Sequence, residues 1–107
     1  MAAPTGAFKM RGMKFAALID YTTDASKIAA TRPAHREYLK TLFDSDRLVI
    51  SGPFTDDRGG ILVYEAKSAE DVEAMIRDDP FFKAGVFVSW NIRGWKVVMA
   101  NPKLCAP

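Results

Sequence analysis

The alternation of apolar and polar residues predicts four strands along the chain. Residues 14–21 are apolar at both alternating sets of positions, which indicates a strand covered on two faces. A second strand is expected over residues 47–51, where Gly52-Pro53 interrupts it, and a hairpin loop at residues 56–60 leads into a third over 61–65. A long last strand is expected from about residue 86 to 99. One face of this strand is predicted to carry Val88, Trp90 and Ile92. The other face is predicted to carry Phe87, Ser89, Asn91 and Arg93.

Helical periodicity occupies the two segments between these strands. A short helical stretch is expected after Asp24, a candidate N-cap, to about residue 30. A main helix is expected to begin near Pro33, where the missing N–H is harmless. The spacing i, i+3, i+4, i+7 then gives one inward stripe, which consists of His35, Tyr38, Leu39 and Leu42. Arg36, Glu37 and Lys40 are expected to point away from this stripe. His35 is therefore predicted to face inward, near the positive end of this helix.

A second helix is predicted after Ser68, which begins a Ser-x-x-acid capping pattern. Its apolar stripe is Val72, Met75 and Ile76. Asp79-Pro80 is expected to end it, with Phe81 in the loop that follows. The resulting order β-α-β-β-α-β predicts an α+β, ferredoxin-like fold with a four-stranded antiparallel sheet and two helices on one face. Because apolar residues lie on both faces of the sheet, a second copy of the chain is the expected cover for the other face.

Composition narrows the range of partners. The length and composition of the chain predict one domain, expected over residues 13–99, with a flexible arm expected at 1–12 and a tail at 100–107. Fifteen basic and 13 acidic residues are interspersed, which gives no basic stripe for nucleic acid, and no apolar run reaches membrane-spanning length. The single cysteine, Cys105, cannot form an internal disulfide, so a cytoplasmic setting is expected.

The candidate chemistry centres on His35, the chain's one histidine. Histidine is the side chain whose ordinary pKa lies near neutral pH, which suits it to general-base work. The alternative is a core histidine with purely structural hydrogen bonds. Without a second histidine it cannot anchor an ordinary zinc or iron site, although binding of Mg²⁺ by carboxylates alone stays open. No phosphate-binding or dinucleotide-binding motif occurs, so neither a metal nor a cofactor is predicted.

Three neighbouring features are candidates for substrate binding. Arg32 lies one helical turn before His35 and would hold a carboxylate or phenolate, or else be a solvated or ion-paired surface residue. The segment Ser51-Gly52-Pro53 would let backbone approach a ligand closely, or else mark an edge-strand bulge. Phe81 would wall an apolar pocket, or else pack in the core.

Several short motifs, taken together and in order, resemble one family. They are Arg32-Pro33-x-His35, Leu39, the strand ending in Ser51-Gly52-Pro53, Gly59-Gly60, Ser68-x-Glu70, Asp79-Pro80-Phe81 and Ala84-Gly85-Val86. Over residues 13–98 the chain resembles the YciI-like (YCII-related) family of small dimeric α+β barrel proteins. The resemblance implies a homodimer in which His35 and Asp79 face one pocket, and the few members with assigned chemistry look like small lyases acting on substituted aromatic rings. The loop at residues 54–60 is shorter than in many relatives.

Together these observations favour a cofactor-independent lyase or isomerase that acts on a small cyclic or aromatic acid. His35 would move a proton while Asp79 orients its ring. Two alternatives stay open: a non-catalytic module of the same fold that binds a small ligand or another protein, and a cofactor-free monooxygenase, for which fold-level analogy is the only support.

Overall fold

A computed structural model describes residues 12–107, which form a four-stranded antiparallel sheet with three helices packed on one face. The elements are β1 (Met13–Tyr21), α1 (Ala25–Asp44), β2 (Leu48–Pro53), β3 (Gly59–Ala66), α2 (Ala69–Asp78), α3 (Pro80–Lys83), β4 (Phe87–Trp95) and a short 3-10 turn at Pro102–Leu104. The strand order β2-β3-β1-β4 is that of the ferredoxin-like fold, so the predicted fold class is confirmed. Of the arm assigned to residues 1–12, all but Gly12 lie outside the described residues.

The first helical region is one helix of 20 residues, not a short stretch followed by a main helix. Asp24 caps it by accepting from the backbone N–H of Lys27, as its position suggested. Pro33 lies inside the helix, where it removes one backbone hydrogen bond without ending the helix. The expectation that His35 lies near a helix N-terminus is therefore wrong, because ten residues of α1 precede it. Ile28, His35 and Leu42 form the buried face.

Two strands differ from their predicted course. β2 continues through Gly52 to Pro53, which is tolerated because β2 lies at the edge of the sheet. In β4, Ser89 pairs with Asp20 but Phe87 pairs with Tyr21, so a bulge at residue 88 shifts the alternation. The predicted assignment of faces was consequently wrong for Phe87, which is buried on the helix side together with Trp90 and Ile92.

The second helical region ends as predicted at Asp78, after a cap in which Ser68 accepts from the N–H of Asp71. The residues after it are not a loop. Asp79 caps the four-residue helix α3, in which Pro80 occupies the first position and Phe81 is completely buried.

The core lies between the helices and one face of the sheet. Every second residue of β1 from Phe15 to Tyr21 is buried there. The opposite face carries exposed apolar side chains, of which Leu18 and Ile61 are register partners on β1 and β3. Among the described residues, no helix is long and apolar enough to span a bilayer.

Candidate functional site

The side chains of His35 and Asp79 are in contact in the interior, although the two residues are 44 positions apart in sequence. Nδ1 of His35 lies 2.7 Å from Oδ1 of Asp79, and the two residues are 5% and 0% exposed. The hydrogen bond expected between them is confirmed. The same carboxylate oxygen accepts the backbone N–H of Phe81 at 2.9 Å, since Asp79 also caps α3.

This arrangement sets the roles of the two ring nitrogens. Oδ1 of Asp79 is the acceptor for both neighbours, so Nδ1 of His35 is the donor and carries the proton. In the uncharged ring Nε2 is then left with its lone pair. Within residues 12–107, no protein group forms a hydrogen bond with Nε2, so this atom is the one available to a ligand.

Aromatic rings fix the imidazole in place. Phe81 stacks on His35 with ring centroids 3.9 Å apart and planes inclined by 7°, and Phe87 presents its edge at 5.9 Å. Tyr21 packs against both phenyl rings, at 5.5 Å from Phe81 and 6.0 Å from Phe87. The His35 ring therefore has little freedom to turn away from Asp79.

The carboxylate is itself held in a largely apolar layer. Its second oxygen, Oδ2, is buried without a hydrogen-bond partner among the described residues, and so is the hydroxyl of Tyr64. Burial raises the pKa of Tyr64 well above its ordinary value, and the nearby charge of Asp79 adds to the rise.

A cleft of about 570 Å³ opens between α1 and the β2 edge of the sheet. Its lining residues are Tyr21, His35, Arg36, Leu39, Lys40, Phe43, Leu48, Ser51, Gly52, Pro53, Leu62 and Pro107. The volume is within the range of small-molecule sites. His35 is thus both buried against Asp79 and part of the cleft surface.

Three of the five predicted substrate-binding residues lie in this cleft, namely Ser51, Gly52 and Pro53. Ser51 pairs with Leu62, whose side chain faces the helices, so the serine faces the same side as His35. The other two predicted residues lie elsewhere. Phe81 is behind His35 in the core, and the guanidinium of Arg32 bonds Asp57 at 2.6 Å.

The cleft's cations are Arg36 and Lys40, which the helical pattern had assigned to another face. Both residues are exposed, as predicted, and they line the cleft because it extends beyond the buried stripe of α1 along the flank of the helix. Lys40 bonds Asp44 one turn farther on, whereas no described residue forms an ion pair with Arg36. No aspartate or glutamate is among the lining residues, so the positive charge of Arg36 has no acidic partner on the cleft wall. The signal that would have found Arg36 is its place directly after His35, at an exposed position of α1.

Comparison with known proteins identifies the family of the chain. The YCII-related domain matches residues 13–96. The chain belongs to the YCII-related family. Among curated YCII relatives, protein YciI of Escherichia coli is 29% identical over 89 residues, covering 74% of this chain and 91% of that protein. The derivative of benzaldehyde biosynthesis cluster protein C of Emericella nidulans is 36% identical over 66 residues, covering 51% of this chain and 67% of that protein.

A solved structure shares the YCII fold of this chain. It is 5-chloro-2-hydroxyhydroquinone dehydrochlorinase (TftG) of Burkholderia phenoliruptrix, in complex with 2,5-dihydroxybenzoquinone. The two superpose with a TM-score of 0.70 at 29% identity, covering 78% of this chain and 94% of the other.

Proposed function

We propose that this protein is a cofactor-independent lyase or isomerase that acts on a small, acidic, hydroxylated ring, with His35 as the general base. The observation that carries the proposal is the 2.7 Å bond between Nδ1 of His35 and Oδ1 of Asp79 at the wall of a cleft of about 570 Å³. Asp79 holds the ring in the tautomer whose Nε2 takes a proton, and it stabilises the imidazolium that results.

The protons and electrons of such a step balance without a co-reactant. Nε2 of His35 takes the proton of a ring hydroxyl, and the electron pair of that O–H bond stays on the substrate as an oxyanion. In an isomerase the imidazolium returns the same proton to a carbon of the substrate. In a lyase the imidazolium returns the proton to the ring carbon that bears the leaving group, as the oxyanion becomes a C=O group. A second ring hydroxyl then loses its proton to solvent, its electron pair forms another C=O bond, and the leaving group departs with its own bonding electrons, so that the net loss is one proton and one anion.

Charge and relatives support the substrate class. Arg36 and Lys40 favour an anionic ligand, with Arg36 in the role that the sequence had suggested for Arg32. A fold neighbour at 29% identity is a dehydrochlorinase that was solved with a dihydroxybenzoquinone. Hydroxylated aromatic rings are therefore the first compounds to test.

The decisive experiment is a panel of halogenated hydroquinones and hydroxybenzoic acids, followed by halide release and quinone absorbance. We expect turnover of at least one phenolic substrate, and a loss of about 10²- to 10⁴-fold in His35→Gln. Glu37→Gln, at an exposed position two residues along α1, is the matched control and should retain full activity. Binding without turnover would instead indicate a non-catalytic ligand-binding module, and oxygen uptake during turnover would indicate a monooxygenase.

We also propose that the protein acts as a homodimer through the outer face of its sheet. Leu18, Ile50, Ile61 and Trp95 are between 39% and 48% exposed on that face. Within one copy the helices cover only the other face of the sheet, and a second copy would cover these side chains.

The lone free thiol of Cys105 suits a reducing compartment such as the cytoplasm.

A further inference from the structure

Tyr21 shares the aromatic framework of His35. It is the last residue of β1, 7% exposed, and its ring contacts the same two phenylalanines that hold the imidazole. Both Tyr21 and His35 line the cleft. The same two phenylalanine rings therefore hold both His35 and Tyr21 at the wall of the cleft.

The hydroxyl of Tyr21 extends over β3 toward the edge of the sheet. A side chain on Gly60 would place its Cβ 3.0 Å from the hydroxyl oxygen of Tyr21 and 2.8 Å from the carbonyl oxygen of Gly52. Glycine at position 60 therefore leaves the space that the hydroxyl uses. Gly52 is itself part of the cleft, so the hydroxyl lies beside the ligand space.

The hydroxyl is free to donate. Within residues 12–107 no side chain or backbone group accepts a hydrogen bond from it. Burial raises the pKa of Tyr21, and this effect outweighs the nearby charge of Arg32, so the phenol stays protonated at neutral pH. Arg36 lines the same cleft and supplies a positive charge.

We propose that Tyr21 is a second catalytic residue, whose hydroxyl donates a hydrogen bond to the oxyanion that forms when His35 removes a proton from the substrate. This inference rests on the proposed function. Tyr21 keeps its own proton throughout, and the substrate's electron pair stays on the oxygen that Tyr21 contacts. A fixed donor of this kind stabilises the charged state more than the neutral substrate, which lowers the barrier.

The test uses Tyr21→Phe, which keeps the ring and its packing and removes the hydroxyl alone. Tyr38→Phe is the matched control, since the hydroxyl of Tyr38 bonds the carbonyl of Met75 and Tyr38 does not line the cleft. Each variant is titrated with 2,5-dihydroxybenzoquinone as an oxyanion probe, by the shift of its visible absorbance. Turnover of any substrate found with the panel is measured in parallel.

We expect Tyr21→Phe to weaken probe binding by about tenfold and to lower kcat by about 10²-fold, with KM changed much less. Tyr38→Phe should leave both unchanged. Equal probe affinity in Tyr21→Phe and wild type would overturn the inference even if His35 proves catalytic. Conversely, if no substrate is turned over, a selective loss of probe binding in Tyr21→Phe still establishes the contact while the proposed function fails.

A second measurement covers the case in which Tyr21→Phe does not fold. The chain has three tyrosines, so ring signals of labelled tyrosine can be assigned with Tyr38→Phe and Tyr64→Phe. The probe should then shift the Tyr21 signal of the wild-type protein most strongly. A shift confined to the other two tyrosines would overturn the inference.

Discussion

The rings of His35 and Phe81 lie face to face, with centroids 3.9 Å apart and planes inclined by 7°. Phe81 also donates its backbone N–H to the carboxylate oxygen that bonds His35. One residue thus supports both members of the pair, by its ring and by its backbone. Its position follows from Pro80, which begins α3 and makes Asp79 the cap of that helix.

Replacing Phe81 by Leu should free the His35 ring while keeping the core nearly filled. Loss of the stacked pair and the change of shape are expected to lower the free energy of unfolding by about 1–2 kcal/mol. Urea unfolding measures this loss, and nuclear magnetic resonance of the imidazole reports the ring's position. Phe82→Leu is the control, since Phe82 packs on Trp90 at 5.6 Å. Imidazole signals that respond equally to both variants would contradict the supporting role of Phe81.

Most of the fold could be predicted from the sequence because the buried residues follow simple helical and strand periodicity. Helical spacing correctly placed His35 on the inner face of α1, and the capping patterns at Asp24 and Ser68 were confirmed. The long-range contact with Asp79 came from the family resemblance, since no local pattern relates residues on separate elements. Its geometry is confirmed, whereas its catalytic role stays a prediction.

The errors arose where tertiary packing outweighed local rules. Packing of α1 against the sheet stabilises a helix through Pro33, despite one lost hydrogen bond. A bulge at Val88 reversed the facing of Phe87, which strict alternation cannot anticipate. Arg32 was expected near the substrate, but its guanidinium is held by Asp57, a turn residue 25 positions farther along the chain, which no local pattern reveals.

Tyr64→Phe should leave stability unchanged or raise it. The hydroxyl of Tyr64 is buried without a partner among the described residues, so its removal ends a desolvation cost. Tyr38→Phe provides the contrast, because it removes a 2.7 Å bond to the carbonyl of Met75 and should cost about 1 kcal/mol. Urea unfolding of both variants decides the matter. A loss above about 1 kcal/mol in Tyr64→Phe would show that its hydroxyl is hydrogen-bonded in solution.

Stability should fall at alkaline pH as the tyrosines titrate. Burial raises the pKa of all three tyrosines, that of Tyr38 to about 12 from the ordinary 10.0. Above pH 10.0 the unfolded chain therefore binds fewer protons than the folded one, and stability declines as the pH rises toward about 12. Unfolding followed at a series of pH values should show this slope, and Tyr38→Phe should reduce it. Tyrosinate absorbance that develops fully near pH 10.0, with the fold intact, would contradict the assignment.

Sedimentation at micromolar concentration should give twice the monomer mass, because the exposed apolar face of the sheet needs a cover. The central contact of that face is Ile61 on β3, opposite Leu18 on β1. Ile61→Lys puts a charge into the proposed interface, at a position exposed enough in one copy to tolerate lysine, and should shift the protein to monomers. Ala74→Lys, at an exposed position on α2, is the control and should leave the dimer intact. A wild-type protein that is folded and monomeric at this concentration, or an Ile61→Lys variant that stays dimeric, would show that this face is not the interface.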